Sequence, residues 1–347
     1  MHANLVHKIF KNTNYVSIDE FMRSALYDCE YGYYMNKIPF GLTGDFITAS
    51  EISQLFGEII AVWVLYSWEQ IGSPSKFALV ELGPGRGTLM SDVIRILKQF
   101  DRCFKSLSIH LVEISPILCQ VQKNTLKDYQ VFWHQDITTI PELPVIFIAN
   151  EVFDALPIKQ FVYSSGMWKE NYVQLKNDIL QIVKKDTDFV LNITSMMEGS
   201  VVEICDDARA LLKLMEDRIV RCGGTGIIID YGYVYPPPYV STIQSVKYHQ
   251  YHSFLENIGE CDISAYVDFA FLQNNLQRIK SLVISQRKFL YYFGIKKRLE
   301  ILMSNATRKQ RQGLKSAFLR LTENMGTLFK ILMMNYVIEE TDNTLNI

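Results

Sequence analysis

A short glycine-rich segment between an apolar run and an amphipathic pattern constrains the fold of this 347-residue chain most strongly. The segment reads Phe77-Ala-Leu-Val-Glu-Leu-Gly-Pro-Gly-Arg-Gly-Thr88, and apolar residues follow it at helical spacing, at Leu89, Val93, Ile96, Leu97 and Phe100. This pattern predicts a strand, a tight loop and a helix. Glycines let such a loop lie against a ligand, and the helix N-terminus presents free N–H groups to it. The segment therefore predicts an α/β fold that binds an adenine-containing cofactor.

The spacing of the glycines distinguishes between two classes of cofactor. Dinucleotide dehydrogenases use G-x-G-x-x-G, in which the third glycine lies at the start of the helix. Here Gly83, Gly85 and Gly87 form G-x-G-x-G, and Glu81 stands two residues before the first glycine. This arrangement is typical of enzymes that use S-adenosylmethionine (SAM), which has no pyrophosphate and needs a charged group near its amino acid end. An ordinary glycine turn is the structural alternative.

Three further residues near this loop are candidate cofactor ligands. Glu113 ends the apolar run Ser108–Glu113, and an acid at the tip of the second strand of a nucleotide-binding unit accepts hydrogen bonds from ribose hydroxyls. Its alternative is a solvated carboxylate. Asp136 follows a third short strand, where it either reads the adenine amino group or caps a turn. Arg86 either binds the methionine carboxylate or faces solvent.

A polar cluster follows a fourth, fully apolar strand at Val145–Ala149. An apolar run of this kind is typical of a parallel strand that is covered on both faces. Ligands of open α/β sheets bind beyond the carboxyl ends of the strands, so we expect Asn150, Glu151 and Asp154 to face the transferable methyl group. Capping of a turn or helix by Asn150 or Asp154 is the alternative.

Six motifs occur in one order along the chain: GDFITASEISQ from Gly44, ELGPGRGT from Glu81, HLVEIS from His110, NEVFDALPIKQF from Asn150, IDYG from Ile229 and AYVDF from Ala265. Together they closely resemble the MidA family, methyltransferases related to the mitochondrial protein that helps to assemble respiratory complex I. The resemblance covers about residues 17–333. It implies a SAM-dependent methyltransferase of the class I type, an α/β fold with a doubly wound, mainly parallel sheet. It also implies methylation of an arginine in a complex I subunit.

The resemblance implies cofactor or substrate roles for the glycine loop, for Glu113 and for the cluster at 150–154. Three departures from the family pattern are visible. Ser50 and Val152 stand where proline and phenylalanine are usual, and Ile258-Gly-Glu260 replaces a proline-glycine-glutamate turn. The valine changes the expected shape of the substrate pocket, and no departure touches an expected cofactor ligand.

The predicted reaction is methylation of a protein arginine without a metal ion. A guanidinium is protonated at physiological pH, and its nitrogen lone pairs are delocalised. Carboxylates placed against it localise positive charge on the far nitrogens, leave one nitrogen more nucleophilic and accept the proton. Glu151 and Asp154 are the candidates for this role. Further candidates near the substrate or in a lid are Asp45, Asp230, His249 and Asp268.

The chain is expected to form one elaborated domain with an extension. Residues 1–72 are predicted as a mostly helical extension with an active-site loop, and residues 73–347 as the methyltransferase domain. Two insertions are predicted in the latter. The one at about 166–200 alternates apolar and polar residues like a hairpin, and the one at about 235–275 is long enough to be an active-site lid.

Composition excludes several other classes of protein. The net charge of −2 offers no general attraction to nucleic acid, and the longest apolar run is far shorter than the roughly 18 residues of a membrane span. Six cysteines without C-x-x-C spacing argue against a zinc site and favour a reducing compartment. A bacterial cytoplasm is expected, or the mitochondrial matrix for a eukaryotic source. The basic runs at 296–298 and 308–311 are predicted as solvated helix faces, with docking to an acidic protein partner as the alternative.

The main alternative function is a SAM-binding scaffold that holds an immature complex I subunit without essential catalysis. A nicotinamide dehydrogenase is disfavoured by the glycine spacing. The oligomeric state does not follow from the sequence.

Overall fold

The computed structural model describes residues 3–38, 49–190, 196–235, 237–248 and 250–335. These residues form two compact units. The large-sheet unit comprises the described residues of 47–153, 211–234 and 267–347, and the hairpin unit comprises those of 1–46, 154–210 and 235–266. The domain boundaries that the sequence indicates at 72, 166–200 and 235–275 stay predictions.

Strands and helices of the described residues are numbered in chain order. The strands are β1 (Tyr15–Ser17), β2 (Phe77–Leu82), β3 (Leu107–Val112), β4 (Val131–His134), β5 (Val145–Asn150), β6 (Lys159–Ser164), β7 (Met167–Lys176), β8 (Ile179–Asp186), β9 (Val201–Ile204), β10 (Gly224–Tyr233), β11 (Gln244–Lys247), β12 (Gln250–His252), β13 (Asp262–Ser264), β14 (Val267–Asp268), β15 (Ser281–Ser285) and β16 (Phe329–Met334). The helices are α1 (Ala3–Ile9), α2 (Ile18–Tyr27), α3 (Tyr33–Asn36), α4 (Ala49–Ile52), α5 (Gln54–Gln70), α6 (Thr88–Leu97), α7 (Asp101–Ser106), α8 (Pro116–Thr125), α9 (Asp206–Cys222), α10 (Phe269–Asn275), α11 (Gln286–Tyr292), α12 (Ile295–Ser304), α13 (Arg308–Leu319) and α14 (Met325–Leu328). A 3₁₀ turn lies at Ile137–Thr139 and a π-helical turn at Arg320–Asn324.

The large-sheet unit is built on a mixed sheet with the strand order β15-β16-β10-β5-β2-β3-β4. Strands β10, β5, β2, β3 and β4 are parallel, whereas β16 is antiparallel to both of its neighbours. The chain runs outward from β2 to β4 and then returns to β5 and β10 on the other side of β2. The strand order therefore reverses between β2 and β5, which confirms the predicted doubly wound, mainly parallel sheet.

The central strands form where the sequence has continuous apolar runs. Every residue of β2 and β5 is buried, as expected for parallel strands that are covered on both faces. The apolar run at 226–229 predicts a strand, and β10 is longer than that run at both ends. The sequence also predicts a closing strand at 327–333, but β16 begins only at Phe329, because Met325–Leu328 form the short helix α14.

Helix α5 packs closely against α6 and forms a salt bridge with α12. A Cβ atom on Gly57 would lie 2.5 Å from Cβ of Asp92, so only glycine permits this approach. Glu58 is 1% exposed and accepts hydrogen bonds from Arg95 Nη1 at 2.8 Å and Arg298 Nη2 at 3.0 Å. The prediction of a solvated face is wrong for Arg298, because its guanidinium is needed to neutralise a buried carboxylate.

The hairpin unit contains two small sheets. Strands β7 and β8 form the predicted hairpin, and the turn residues Asn177 and Asp178 have φ angles of 50° and 61°, as a tight hairpin turn requires. Strands β1 and β6 also pair with β7, and β9 pairs with β6. The segment predicted as a lid forms the second sheet, in the order β12-β11-β13. Its role as a lid stays a prediction.

The described residues contain neither a membrane-spanning helix nor a cluster of metal ligands. None of their helices is both long and apolar enough to cross a membrane. No three histidine, cysteine, aspartate or glutamate side chains of these residues lie close enough together to hold a metal ion.

Candidate active site

Acidic and amide side chains meet at the carboxyl edge of the large sheet. Ile229 of β10 lies beside Asn150 of β5, and Leu82 of β2 lies between Ala149 and Val112. The residues that follow these positions therefore share one edge, beside the reversal of strand order where ligands of such sheets bind. The predicted site residues at this edge are Glu81, Glu113, Asn150, Glu151 and Asp230.

The glycine loop after β2 has the backbone conformation that its sequence suggests. Gly83, Gly85 and Gly87 have φ angles of 55°, 54° and 77°, in the left-handed region that favours glycine. At Gly83 a Cβ atom would also lie 2.8 Å from Cγ2 of Val152. The loop therefore brings bare backbone against the segment after β5, and helix α6 begins directly behind it.

Glu81 is a buried carboxyl group, and no cation of the described residues forms a salt bridge with it. Its side chain is 3% exposed, and Oε2 has no hydrogen-bond partner among the described residues. Burial and the nearby charge of Glu113 raise the pKa of Glu81 to about 8. A buried carboxylate needs a positive partner, and SAM carries both an ammonium and a sulfonium group. The unpartnered oxygen thus fits the cofactor that the glycine spacing predicts.

Glu113 is held firmly at the tip of β3. It is 7% exposed, so the alternative of a solvated carboxylate is wrong. Oε1 accepts a hydrogen bond from the backbone N–H of Ser115 at 2.8 Å, and Oε2 accepts one from Nε2 of Gln122 at 3.0 Å. Burial raises the pKa of Glu113, and these hydrogen bonds oppose the shift. Its ribose-binding role stays a prediction.

Gln122 is a site residue that the sequence reasoning missed. It is fully buried on α8, where it bonds to the glycine loop, to Glu113 and to Trp133. A weak signal was present in the sequence. The buried face of this helix reads Leu118, Gln122 and Leu126 at intervals of four, so one polar residue interrupts an apolar stripe.

Asp136 and Arg86 have protein partners in the structure. Asp136 is exposed and its Oδ1 accepts a hydrogen bond from the N–H of Thr138 at 2.7 Å, which is the capping role that the sequence left open. Hydrogen bonds from the backbone and the side chain of Thr138 lower the pKa of Asp136. Arg86 Nη1 lies 3.4 Å from Oε1 of Glu51. Adenine recognition by Asp136 and carboxylate binding by Arg86 stay predictions.

Glu151 combines an unusual backbone conformation with a fixed side chain. Its φ angle is 53°, which is uncommon for a residue other than glycine. Oε1 accepts hydrogen bonds from the N–H of Ala49 at 2.9 Å and from Nδ2 of Asn150 at 3.3 Å. The Oδ1 atom of Asn150 is buried and has no partner in the described part of the chain. Strained residues of this kind cluster at functional sites.

Asp230 and Asp268 both bond to backbone N–H groups. Asp230 is fully buried, and Oδ2 accepts a hydrogen bond from the N–H of Phe153 at 3.0 Å. It thereby anchors the chain that follows Glu151. Asp268 caps α10 through Oδ1 and the N–H of Phe271 at 2.8 Å, and burial raises its pKa. Their predicted roles near the substrate stay predictions.

Asp154 belongs to the hairpin unit, so the unit boundary divides the predicted cluster after Phe153. Within the hairpin unit Asp154 is 8% exposed, and its backbone oxygen accepts a hydrogen bond from the N–H of Ala265 at 2.9 Å. Burial, reinforced by the charge of Asp154, raises the pKa values of Tyr27 and Tyr34 well above the usual value. Asp45 and His249 lie outside the described residues.

The class I SAM-dependent methyltransferases are defined by a reversed strand order and a glycine loop after the first strand of the sheet, with acids such as Glu81 near the end of β2 and Glu113 after β3. A family model of S-adenosyl-L-methionine-dependent methyltransferases matches residues 59–286. The chain belongs to this family, and it is a SAM-dependent methyltransferase. This finding confirms the predicted cofactor.

Curated relatives and a solved structure resemble most of the chain. The mitochondrial protein arginine methyltransferase NDUFAF7 of Danio rerio is 35% identical over 324 residues, which are 84% of this chain and 76% of that protein. The Homo sapiens protein of the same name is 32% identical over 341 residues, 88% of this chain and 76% of that protein. Together with the family match, these relatives confirm the predicted resemblance.

A crystal structure from Burkholderia thailandensis, bound to S-adenosyl-homocysteine, has a TM-score of 0.85 at 24% identity, and it covers 97% of this chain and 92% of its own. This likeness confirms the fold.

Proposed function

We propose that this chain methylates the guanidinium group of an arginine in a protein substrate. The observation that carries the proposal is the acidic edge of the large sheet. Glu113 and Glu151 follow β3 and β5, Glu81 lies next to the last residue of β2, and Asp230 lies in β10 beside the end of β5. A carboxylate-rich edge favours a cationic cofactor and a cationic acceptor. Relatives named as protein arginine methyltransferases support the same acceptor chemistry.

The glycine loop, Glu81 and Glu113 are the residues that would hold the cofactor. When bound, SAM supplies an electrophilic methyl group on a sulfonium. Glu81 would pair with a positive group of the ligand, and Glu113 would accept hydrogen bonds from the ribose. Arg86 and Asp136 are proposed to bind the methionine carboxylate and the adenine.

Glu151 is the proposed residue that prepares the guanidinium for attack. Two N–H donors fix the orientation of its carboxylate through Oε1. A carboxylate against the guanidinium localises positive charge on the far nitrogens and accepts the proton that is released. Asn150 is proposed to orient this carboxylate, since its side chain bonds to Oε1 of Glu151. The proposed role of Asp154 rests on the sequence motif alone.

The proposed acceptor is a subunit of respiratory complex I during its assembly. This part of the proposal rests on the resemblance to the MidA family and on relatives whose names place them in mitochondria. For a eukaryotic source the proposed location is the mitochondrial matrix, and for a bacterial source it is the cytoplasm.

The substitution Glu151→Gln tests the proposed chemistry, because it keeps the shape of the side chain and removes its charge. We expect S-adenosylhomocysteine to bind with unchanged affinity in calorimetry, while arginine methylation falls by at least ~10²-fold, as for the loss of a positioned acid–base group. The exposed Glu300→Gln is the matched control. Methylation would be measured by mass spectrometry in a strain that lacks the gene and expresses each variant.

Two results would contradict the proposal in different ways. Wild-type methylation by Glu151→Gln would show that this carboxylate does not act on the acceptor. Complete assembly of complex I without any methylation would favour the SAM-binding scaffold over the enzyme as the essential function.

A further inference from the structure

The amide of Gln122 connects three parts of the proposed cofactor site. Nε2 donates hydrogen bonds to the backbone oxygen of Gly85 at 2.9 Å and to Oε2 of Glu113 at 3.0 Å. Oε1 accepts a hydrogen bond from the indole N–H of Trp133 at 3.0 Å. The glycine loop after β2, the acid after β3 and a side chain of β4 therefore meet at one buried group.

The hydrogen-bond partners of this amide allow only one orientation of its oxygen and nitrogen. An amide has two N–H donors and one carbonyl acceptor, and here each donor has an acceptor and the oxygen has a donor. Rotation by 180° would place the carbonyl oxygen of Gln122 against the carboxylate of Glu113 and the carbonyl of Gly85. Since the side chain is fully buried, water does not compensate such a mismatch, and the amide stays in place.

The orientation of Gln122 in turn determines that of Glu113. The carboxylate is held from two sides, by the backbone N–H of Ser115 at Oε1 and by Gln122 at Oε2. An ionised carboxylate accepts about four hydrogen bonds, so both oxygens keep capacity for a diol. The same amide bonds to the glycine loop, which fixes the distance between Glu113 and the backbone at Gly85.

We infer that Gln122 is a positioning residue for cofactor binding, which holds the ribose-binding carboxylate of Glu113 in register with the glycine loop. This inference rests on the proposed cofactor site at Gly83–Gly87 and Glu113. Gln122 acts through Glu113 and does not itself touch the ligand. Its removal should therefore weaken recognition of the ribose hydroxyls while the rest of the ligand binds as before.

Calorimetry with two ligands tests this inference. We expect Gln122→Met to weaken S-adenosylhomocysteine by about tenfold, since a charge-assisted hydrogen bond loses its fixed acceptor. The 2′-deoxy form of the same ligand should lose about threefold or less, because part of the interaction is already absent. The exposed residue Gln120 lies on the same helix, and Gln120→Met is the matched control.

Trp133→Phe is the second variant, and it tests the positioning role of Gln122 if Gln122→Met does not fold. It removes the indole N–H donor to Oε1 together with part of the ring, so the amide of Gln122 loses its hydrogen bond from β4. We expect about threefold weaker binding of S-adenosylhomocysteine and a smaller change for the 2′-deoxy ligand. Equal losses for both ligands in either variant would overturn the inference, because a purely structural role does not distinguish them.

Glu113→Ala separates this inference from the proposed site beneath it. Normal binding of S-adenosylhomocysteine by Glu113→Ala would mean that the proposed ribose site is wrong. Weak binding by Glu113→Ala, together with normal binding by Gln122→Met, would mean that only the positioning role is wrong.

Discussion

Two buried glutamates of the large-sheet unit have opposite electrostatic surroundings. Glu58, on helix α5, is 1% exposed and lies between the guanidinium groups of Arg95 and Arg298. Glu81, at the end of β2, is 3% exposed and has no salt bridge within the described residues. Burial alone would raise both pKa values. The two arginines outweigh it and lower the pKa of Glu58, whereas that of Glu81 rises to about 8.

The difference separates a carboxylate that arginines neutralise from one that has no salt bridge within the described residues. A buried charge is costly unless it is paired, and the helices around Glu58 supply the pairing within the protein. At Glu81, beside the glycine loop, one oxygen has no hydrogen-bond partner in the described part of the chain. Strongly shifted pKa values with a specific cause are typical of functional sites. A positively charged ligand would neutralise the carboxylate of Glu81, as the two arginines neutralise that of Glu58.

The largest expected effect comes from removing the partners of Glu58. The double variant Arg95→Met/Arg298→Met leaves a buried charge uncompensated, and we expect the free energy of unfolding to fall by about 3–5 kcal/mol. Chemical denaturation at pH 7 measures this change. Lys297→Met, at an exposed position next to Arg298, should change stability by less than about 0.5 kcal/mol. A double variant as stable as this control would show that the Glu58 network is dispensable.

A smaller effect concerns the pH dependence of stability at Glu81. The pKa of this group is about 8 in the folded protein and 4.5 in its unperturbed state, so between these values the folded state binds one more proton than the unfolded state. The contribution of Glu81 to the free energy of unfolding is thus fully present below pH 4.5. It falls by about 1.4 kcal/mol per pH unit as the pH rises towards 8.

Between pH 6 and 7.5 the wild type should therefore lose about 2 kcal/mol relative to Glu81→Gln, which does not titrate. Denaturation of both proteins across this range measures the difference. Parallel curves would mean that Glu81 has an ordinary pKa and a hidden partner.

The smallest effect concerns ligand affinity. We expect Glu81→Gln to weaken S-adenosylhomocysteine by about tenfold at pH 8, because the ligand ammonium loses a charged acceptor. The wild type should bind more tightly at pH 8 than at pH 6, since binding favours the ionised form of a group whose pKa is about 8. Calorimetry at both pH values measures this slope. A slope that survives in Glu81→Gln would assign the titration to another group.

Local patterns predict the parts of this protein that depend on neighbouring residues. The apolar run of β2, the alternate glycines and the helical spacing of α6 were readable, because each element depends on interactions a few residues apart. The position before the glycine loop identifies Glu81 as a site candidate, and the positions at or after strand ends identify Glu113 and Glu151. The hairpin at β7 and β8 was likewise visible in its alternating pattern.

Other features depend on contacts that form only in the folded chain, and local patterns do not predict those contacts. Arg298 was interpreted as a solvated basic residue, yet it bonds to Glu58 across 240 positions. Gln122 was not identified, since a single glutamine on an amphipathic helix indicates nothing about its partners. The motif Asn150–Asp154 was treated as one cluster, whereas the structure assigns its last residue to the hairpin unit.

The sequence by itself determined the class of fold, the cofactor and the strand ends where the acidic residues lie. These follow from backbone preferences and hydrophobic periodicity, which are properties of short segments. Only the tertiary structure decided which buried carboxylate is neutralised by arginines and which has no cation beside it within the described residues. The physical reason is that the pKa of a buried group depends on the charges packed around it, and those charges come from distant parts of the chain.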